Sequence, residues 1–353
     1  MRRICEMIVP KVIKETYSKM QDDKSKQIYS DRLMYNITED PSFMNKIIYE
    51  IDDYKHLLNV FEKHRHQKVI FFGAGWWSSI PRYALPKFFN VEPLLYVDNY
   101  LPAGSKCLGI PVISFDELCN NYKNEFIIIT AYGARKEIYN QLMSNGFGDD
   151  NILILADIVD KPVYKQYFDC PYFEHEDNEV FIDAGVFDGM SAIRFAEWSN
   201  DKYDHIYGFE PNAASYSNCA KIYNTLKNTT LFNKGVWDKN TVLQFRENGP
   251  GSKIIEDEKA IGNDTISVAS IDDELAGERV TFIKMDVEGA ELKGLYGAEK
   301  TIRKWMPKLA ISVYHKPTDL WEIPNIILSF NADYKFYMRH YFFNDCETIL
   351  YAF

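Results

Sequence analysis

The chain has no paired-cysteine motif. Its six cysteines (Cys5, Cys107, Cys119, Cys170, Cys219 and Cys346) are scattered over 353 residues without a C-x-x-C. That excludes the common structural zinc frameworks. In a chain this long it also favours a reducing compartment over a disulfide scaffold. A long apolar run is missing too. The basic start, MRRICEMIVPKVIKE, is broken by Glu6 and Pro10, so neither a signal peptide nor a membrane span is expected, and the expected location is cytoplasmic. There is no basic excess: 51 Asp and Glu face 40 Lys and Arg, for a net charge of −11. A general nucleic-acid binder needs a basic face to displace phosphate counterions, so no nucleic-acid partner is expected. Low-complexity tracts are absent as well.

What is present is apolar and aromatic. Apolar residues make up 46%, with 24 Tyr and 23 Phe, enough for real cores in about two domains. Residues 1–66 show apolar positions at helical spacing, as in MNKIIYEIDDYKHLLNVFEKH, with Asp40 or Ser42 as a cap and Pro41 at a helix start. This predicts a helical N-terminal segment. Buried strands alternating with helices then follow: KVIFFGAG (68–75), PLLYVDN (93–99), EFIIITAYG (125–133) and NILIL (151–155). Such alternation predicts a small doubly wound α/β domain over 67–156. Residues 157–178 lack periodicity and read as a linker.

A second α/β series fills 179–353. Strands are expected at 179–184, 205–210, 230–237, 280–286 and 309–315, and helices at 190–199, 212–226, 290–305 and 318–330. The final DYKFYMRHYFFNDCETILYAF reads as two strands joined by a tight reversal, hence antiparallel. Residues 238–278 are polar and read as a hairpin or a loop, with 246–264 as a candidate mobile cover.

Two glycine turns offer backbone N–H groups to a ligand. The first, Gly73-Ala74-Gly75, continues into Trp76 and Trp77 and lacks the third glycine of G-x-G-x-x-G. Asp98 ends the next strand, as a ribose-binding acid would. The expected state is a Rossmann-like domain with an empty or repurposed crevice, with nucleotide or nucleotide-sugar binding as the alternative. The second turn spaces Asp183, Gly185 and Gly189 as D-x-G-x-x-x-G, and Glu210 ends the following strand. An acid there can accept ribose hydroxyls of any adenosyl cofactor. Further on, Lys284 and Asp286 share one face of a strand, and Glu288 and Gly289 form the turn beyond it.

D-x-G-x-x-x-G resembles the first motif of class I S-adenosylmethionine methyltransferases. Together with GFEPN, NKGVWD, SIDDEL and the run Lys284, Asp286, Glu288, Gly289, Glu291, it resembles the FkbM-type methyltransferase family over roughly 176–353. The resemblance implies a class I methyltransferase fold: a Rossmann-like, mostly parallel sheet ending in an antiparallel hairpin. It also implies S-adenosylmethionine as cofactor and methyl transfer to an oxygen, often a sugar hydroxyl, in a small-molecule or glycan acceptor. By motif, Asp183, Gly185 and Gly189 would line the methionine part, Glu210 and Pro211 the ribose side, and Val236 and Trp237 the adenine. Asp286 would hold the amino group or the acceptor. Asp272 matches a commonly kept acid, with helix capping as the alternative.

Transfer needs an in-line hydroxyl and a base for its proton. Asp286, Glu288 and His315 are the candidates, His315 foremost because imidazole titrates near neutrality. Tyr314, Trp321 and Tyr341 could stack on a sugar. Asp272, Asp286, Glu288, Glu291 and His315 carry ligand chemistry, but no oxygen-cage spacing of the EF-hand kind exists, so no resident metal is expected. A dehydrogenase predicts a full G-x-G-x-x-G, which neither turn has. An amino-methylating nucleic-acid enzyme predicts a D-P-P-Y-like turn where DVEG stands. A scaffold that has lost activity predicts loss of the crevice acids, which are all present.

Overall fold

The computed structural model describes residues 2–80, 91–246, 253–255 and 264–353. It divides into two units. The first comprises Met1–Glu39, Gln166–His340 and Glu347–Phe353; the second comprises Asp40–Lys165 and Tyr341–Cys346.

The expected helical segment is therefore split. Helices α1 (Arg2–Lys19) and α2 (Asp23–Thr38) belong to the first unit. Their junction explains why. Asp22 accepts the Ser25 N–H at 2.6 Å, which caps α2, and also pairs with the Arg339 guanidinium at 2.6 Å. Met338 donates its N–H to Ser25 Oγ at 2.9 Å, and Met20 bridges Phe336. An edge strand with open backbone groups needs such cover. Helices α3 (Pro41–Tyr49) and α4 (Asp52–Lys63) belong to the second unit. Asp40 caps α3 by accepting the Ser42 N–H at 2.9 Å, with Pro41 in the first turn.

The second unit is built on strands β1 (Val69–Phe72), β2 (Leu95–Val97), β3 (Lys106–Cys107), β4 (Ile110–Ile113), β5 (Phe126–Ile129) and β6 (Ile152–Ile154). Their order is β3-β4-β2-β1-β5-β6, parallel except for the β3–β4 pair. Helices α5 (Phe115–Asn121), α6 (Arg135–Ser144), α7 (Leu155–Val159) and α8 (Lys161–Lys165) complete it. Ile70, Phe72, Val97, Ile127 and Ile129 pack with Ile138 and Leu142 of α6. The β3–β4 hairpin was not foreseen. Leu108 and Gly109 turn it, both with left-handed backbone (φ 47° and 85°), a turn suited to a two-residue hairpin.

In the first unit the chain runs β7 (Glu179–Ala184), α9 (Met190–Trp198), β8 (Tyr203–Phe209), α10 (Ala213–Tyr223) and β9 (Thr229–Phe232). A second small sheet follows: β10 (Gly235–Val236), β11 (Thr241–Arg246), β12 (Lys253–Ile255) and β13 (Asp264–Ala269), then α11 (Ile271–Leu275). Here β11 pairs antiparallel with both β12 and β13, so the described part of the polar stretch contains paired strands, in keeping with the hairpin reading. Apart from β12 and its two end residues, the 246–264 cover lies outside the described residues. The chain returns through β14 (Phe282–Met285), α12 (Glu291–Tyr296), α13 (Glu299–Trp305), β15 (Lys308–Ser312), α14 (Asp319–Phe330), β16 (Phe336–His340) and β17 (Thr348–Ala352).

The main sheet is ordered β16-β17-β15-β14-β7-β8-β9. Neighbours pair parallel from β15 through β9, and β17 is antiparallel to both β15 and β16. The order reverses between β7 and β14, and ligands of open α/β sheets bind beyond the strand ends at such a reversal. The expected helix over 290–305 is two helices, because Gly297 lies against the Trp237 carbonyl: a Cβ there would come within 1.9 Å of the oxygen. From Gln166 on, the expected linker is part of this unit. Phe168 and Phe173 reach Phe282 with ring centroids 5.6 Å and 5.1 Å apart. Among the described residues no helix is long and apolar enough to cross a membrane.

Candidate active site

The glycine turn after β7 is held from below by a buried ion pair. Lys284 on β14 sits in register with Asp183 on β7. Its Nζ lies 3.1 Å from Asp183 Oδ1, with the two side chains 4% and 0% exposed. The same ammonium donates to the Gly185 carbonyl at 2.5 Å. Burial alone would lower the Lys284 pKa, but the Asp183 and Asp286 carboxylates outweigh it and raise it. Asp183 Oδ2 accepts from Ser191 Oγ and from the Tyr223 hydroxyl. Asp183 was expected to line a cofactor. Its side chain lies beneath the turn, where it is paired with Lys284, Ser191 and Tyr223.

Gly185 and Gly189 both have left-handed backbone (φ 85° and 83°), and Gly189 precedes α9. At Gly185 a Cβ would lie 1.8 Å from the Asp286 carbonyl oxygen. The turn and the end of β14 thus touch backbone to backbone, which only glycine allows. Between the two glycines, Phe187 N–H donates to Glu210 Oε2 at 2.9 Å, and Asn212 N–H donates to Oε1 at 2.9 Å. Burial pushes the Glu210 carboxyl above its ordinary value. A carboxylate has about four acceptor directions. Two are taken here, so one on each oxygen remains for a ligand diol.

Pro211 packs against Gly235. Val236 and Trp237 are buried. Trp237 joins Ile266, Val268 and Ala290 in a small core, with the Lys293 ammonium 5.5 Å from its ring centre. Both side chains are packed rather than open. Asp272 accepts the Lys300 and Thr301 N–H groups, each at 2.8 Å, at the start of α13. It therefore caps α13, not the DDELAG helix for which capping was the alternative; Ser270 caps that one.

Beyond β14 and β15 the structure brings Asp286, Glu288 and His315 together. His315 Nε2 lies 3.5 Å from Asp286 Oδ1 and 3.5 Å from Glu288 Oε2, and Nδ1 lies 2.9 Å from Glu291 Oε1. Nδ1 is thus within hydrogen-bonding distance of Glu291, whereas Nε2 has no hydrogen-bond partner. Burial opposes the imidazolium, but Glu291, then Asp286 and Glu288, push the His315 pKa up to about 10. By itself this chain therefore keeps His315 protonated at neutral pH. That departs from the expectation of a base titrating near neutrality, and three converging carboxylates are the cause. Burial pushes Glu288 up to about 7. Glu288 also turns the chain with left-handed backbone (φ 55°) ahead of Gly289.

Several site residues were not foreseen. Tyr167 donates its hydroxyl to Asp286 Oδ2 at 2.7 Å, and its ring lies 5.2 Å below the Lys284 ammonium. Tyr314, proposed for sugar stacking, instead points its hydroxyl at Asp286 (3.3 Å) and Glu347 (3.5 Å). Glu347 and Asp319 are each pushed up to about 7 by burial, followed by the Asp286 charge for Glu347 and the Glu291 charge for Asp319. Tyr341 is buried. A hollow of about 500 Å³ lined by Asn178, Lys202, Tyr203 and Lys227 lies at the other ends of β7 to β9, and no site residue lines it.

In the second unit Asp98 is occupied by its own turn. It accepts the Ala74 N–H at 2.8 Å, the Tyr100 N–H at 2.8 Å and the Leu101 N–H at 3.0 Å. Trp77 stacks on Tyr132 at 4.6 Å between ring centres, and Trp76 is 74% exposed.

The sheet order with its reversed seventh strand, and the acid-bearing turns after β7, β8 and β14, define a class I methyltransferase fold. Residues 183–341 match the family model described as the methyltransferase FkbM domain. Among solved structures, the chain is similar to the methyltransferase FkbM from Methylobacillus flagellatus, with 20% identity, 89% of this chain and 100% of that chain covered, and a TM-score of 0.49. It is also similar to fibrillarin from Aeropyrum pernix in complex with S-adenosyl-L-methionine (11% identity, 51% and 67% covered, TM-score 0.33). A SAM-dependent methyltransferase from Aquifex aeolicus is a third (16% identity, 50% and 84% covered, TM-score 0.29). No curated protein matches the chain.

Proposed function

We propose that the first unit binds S-adenosylmethionine over the Gly185–Gly189 turn and transfers its methyl group to a hydroxyl of a carbohydrate or glycosylated small molecule. The observation that carries this reading is Glu210, a buried carboxylate beyond β8 with one acceptor direction left on each oxygen. That suits a ribose diol. Bound there, the cofactor supplies an electrophilic methyl on a sulfonium. The chain supplies the rest. Asp183 and Lys284 set the height of the turn, and Pro211 borders the adenine in front of the packed Val236 and Trp237. Asp286 is fixed by Tyr167 and Tyr314, and with Glu288 and His315 it faces the acceptor oxygen. Positioning alone is worth several kcal/mol in such a reaction.

Glu210→Gln keeps the shape and removes the charge. A hydrogen bond to a charged group contributes about 1.5–3 kcal/mol, so affinity for S-adenosylhomocysteine should fall about 10- to 100-fold while the fold survives. Calorimetric titration of both proteins checks this. An unchanged affinity would remove Glu210 from the cofactor site. The acceptor class is tested with methyl-labelled cofactor and a panel of sugars, nucleotide-sugars and glycosides. Label that resists mild alkali is an ether on a hydroxyl; label lost as methanol is an ester on a carboxyl. Transfer only to carboxyls or amines would contradict the hydroxyl reading.

A further inference from the structure

We propose that Asp286, Glu291 and His315, with Glu288 at the rim, form a binding site for one divalent first-row transition cation. These residues were singled out in the sequence for their ligand chemistry, though no resident metal was expected; they come from the turn after β14, the first residue of α12 and the segment after β15. In space, one ligand atom from each of Asp286, Glu291 and His315 lies within 4.8 Å of the others. An imidazole gives one ion a single nitrogen: the 3.5 Å gaps from His315 Nε2 to Asp286 and Glu288 are close to the spacing of two ligands on one ion, while Glu291, 2.9 Å from Nδ1, holds the ring in place. Bonds of about 2.1 Å put neighbouring ligands roughly 3.0–3.4 Å apart.

Two further observations point to an ion rather than a loose patch of acids. The His315 side chain is 10% exposed, and while Nδ1 lies 2.9 Å from Glu291 Oε1, Nε2 makes no hydrogen bond. Glu291 is 1% exposed, and its Oε2 is buried without a hydrogen-bond partner. Native proteins rarely leave such atoms unsatisfied. Charge argues the same way. Asp319 and Glu347 add carboxylates around the cluster, while the nearby Lys284 is already paired with Asp183. One imidazole with several carboxylates is the donor set of Mn²⁺, Fe²⁺ or Zn²⁺ rather than of Ca²⁺, which takes oxygen alone. The purpose of such an ion rests on the methyl-transfer reading: beside the acceptor it would lower the pKa of a bound hydroxyl, the work otherwise left to a base. Its binding does not depend on that reading.

The test is a Mn²⁺ titration of the metal-stripped full chain, followed by the loss of the free-ion paramagnetic resonance signal, without methyl donor or acceptor. One saturable equivalent is expected. His315→Ala and Glu291→Gln should each weaken it at least about tenfold, as removing a ligand or the residue that orients it does. Asp273→Asn, on α11, should leave it unchanged. Thermal unfolding in chelator shows whether each variant folds, and Mn²⁺ should raise the midpoint of the parent chain and of Asp273→Asn by the same amount, and that of the His315 and Glu291 variants by less. Lack of a saturable site in the parent would overturn the proposal, as would a site indifferent to His315→Ala. Either failure leaves S-adenosylhomocysteine binding, measured separately in chelator, to stand or fall by itself.

Discussion

Lys284→Met should destabilise the first unit by about 3–5 kcal/mol, the usual consequence of stripping one partner from a buried ion pair. The reasoning is local. Asp183 is fully buried and its charge is balanced by an ammonium 3.1 Å away. Ser191 and Tyr223 satisfy its other oxygen but bring no charge. Without Lys284 the carboxylate must take a proton or stay uncompensated, and the Gly185 carbonyl loses its donor as well. Asp183→Asn together with Lys284→Met should recover much of the loss, because then neither charge is stranded. Urea unfolding of the single and double variants checks both statements, following the transition that responds to S-adenosylhomocysteine so that the second unit does not blur it. A single-variant loss below about 1 kcal/mol would show that the pair is solvated, against the burial described.

Gly185→Ala should be the more damaging of the two turn substitutions and should abolish cofactor binding. The new methyl would lie 1.8 Å from the Asp286 carbonyl oxygen, and backbone cannot rotate out of its way. The turn and the end of β14 would have to part, carrying with them the Asp286 side chain. Left-handed strain and overpacking together suggest about 2–5 kcal/mol. Gly189→Ala has the same backbone sign but meets only the Ile222 side chain at 3.2–3.3 Å. That chain can shift, so about 1 kcal/mol and weakened rather than lost binding are expected. Equal effects at the two positions would contradict the backbone contact as the reason for glycine.

Both predictions concern residues visible in the sequence, but only one role was. The strands of the main sheet were legible as short apolar runs ended by acids and glycines, and the closing hairpin as a reversal around Asn344 and Asp345. Glu210 was legible because an acid ending the second strand falls at the crevice whatever the fold's detail. Asp183 was not, since spacing shows that an acid stands before a glycine turn and not which way it points. The β3–β4 hairpin was hidden by Pro111, which reads as a breaker but here stands where β4 meets only two-residue β3. Between Gly235 and Ala269 a strand end and a hairpin were legible, but not the pairing of β13 with both β10 and β11, which joins segments far apart in the chain. Tyr167 lay in a stretch read as linker, and Glu347 and Asp319 are far in sequence from the motif they surround. Tertiary contact alone brings such residues to Asp286 and His315, so no local pattern marks them.

The central claim is that the turn from Asp183 to Gly189 and Glu210 hold an S-adenosyl ligand. Calorimetry of the full chain with S-adenosylhomocysteine, with NAD⁺ in a parallel titration, tests it most directly. The account predicts one equivalent of S-adenosylhomocysteine bound per chain, weakened in Glu210→Gln, and no heat from NAD⁺. A folded protein that binds NAD⁺ instead, or binds neither, would contradict it.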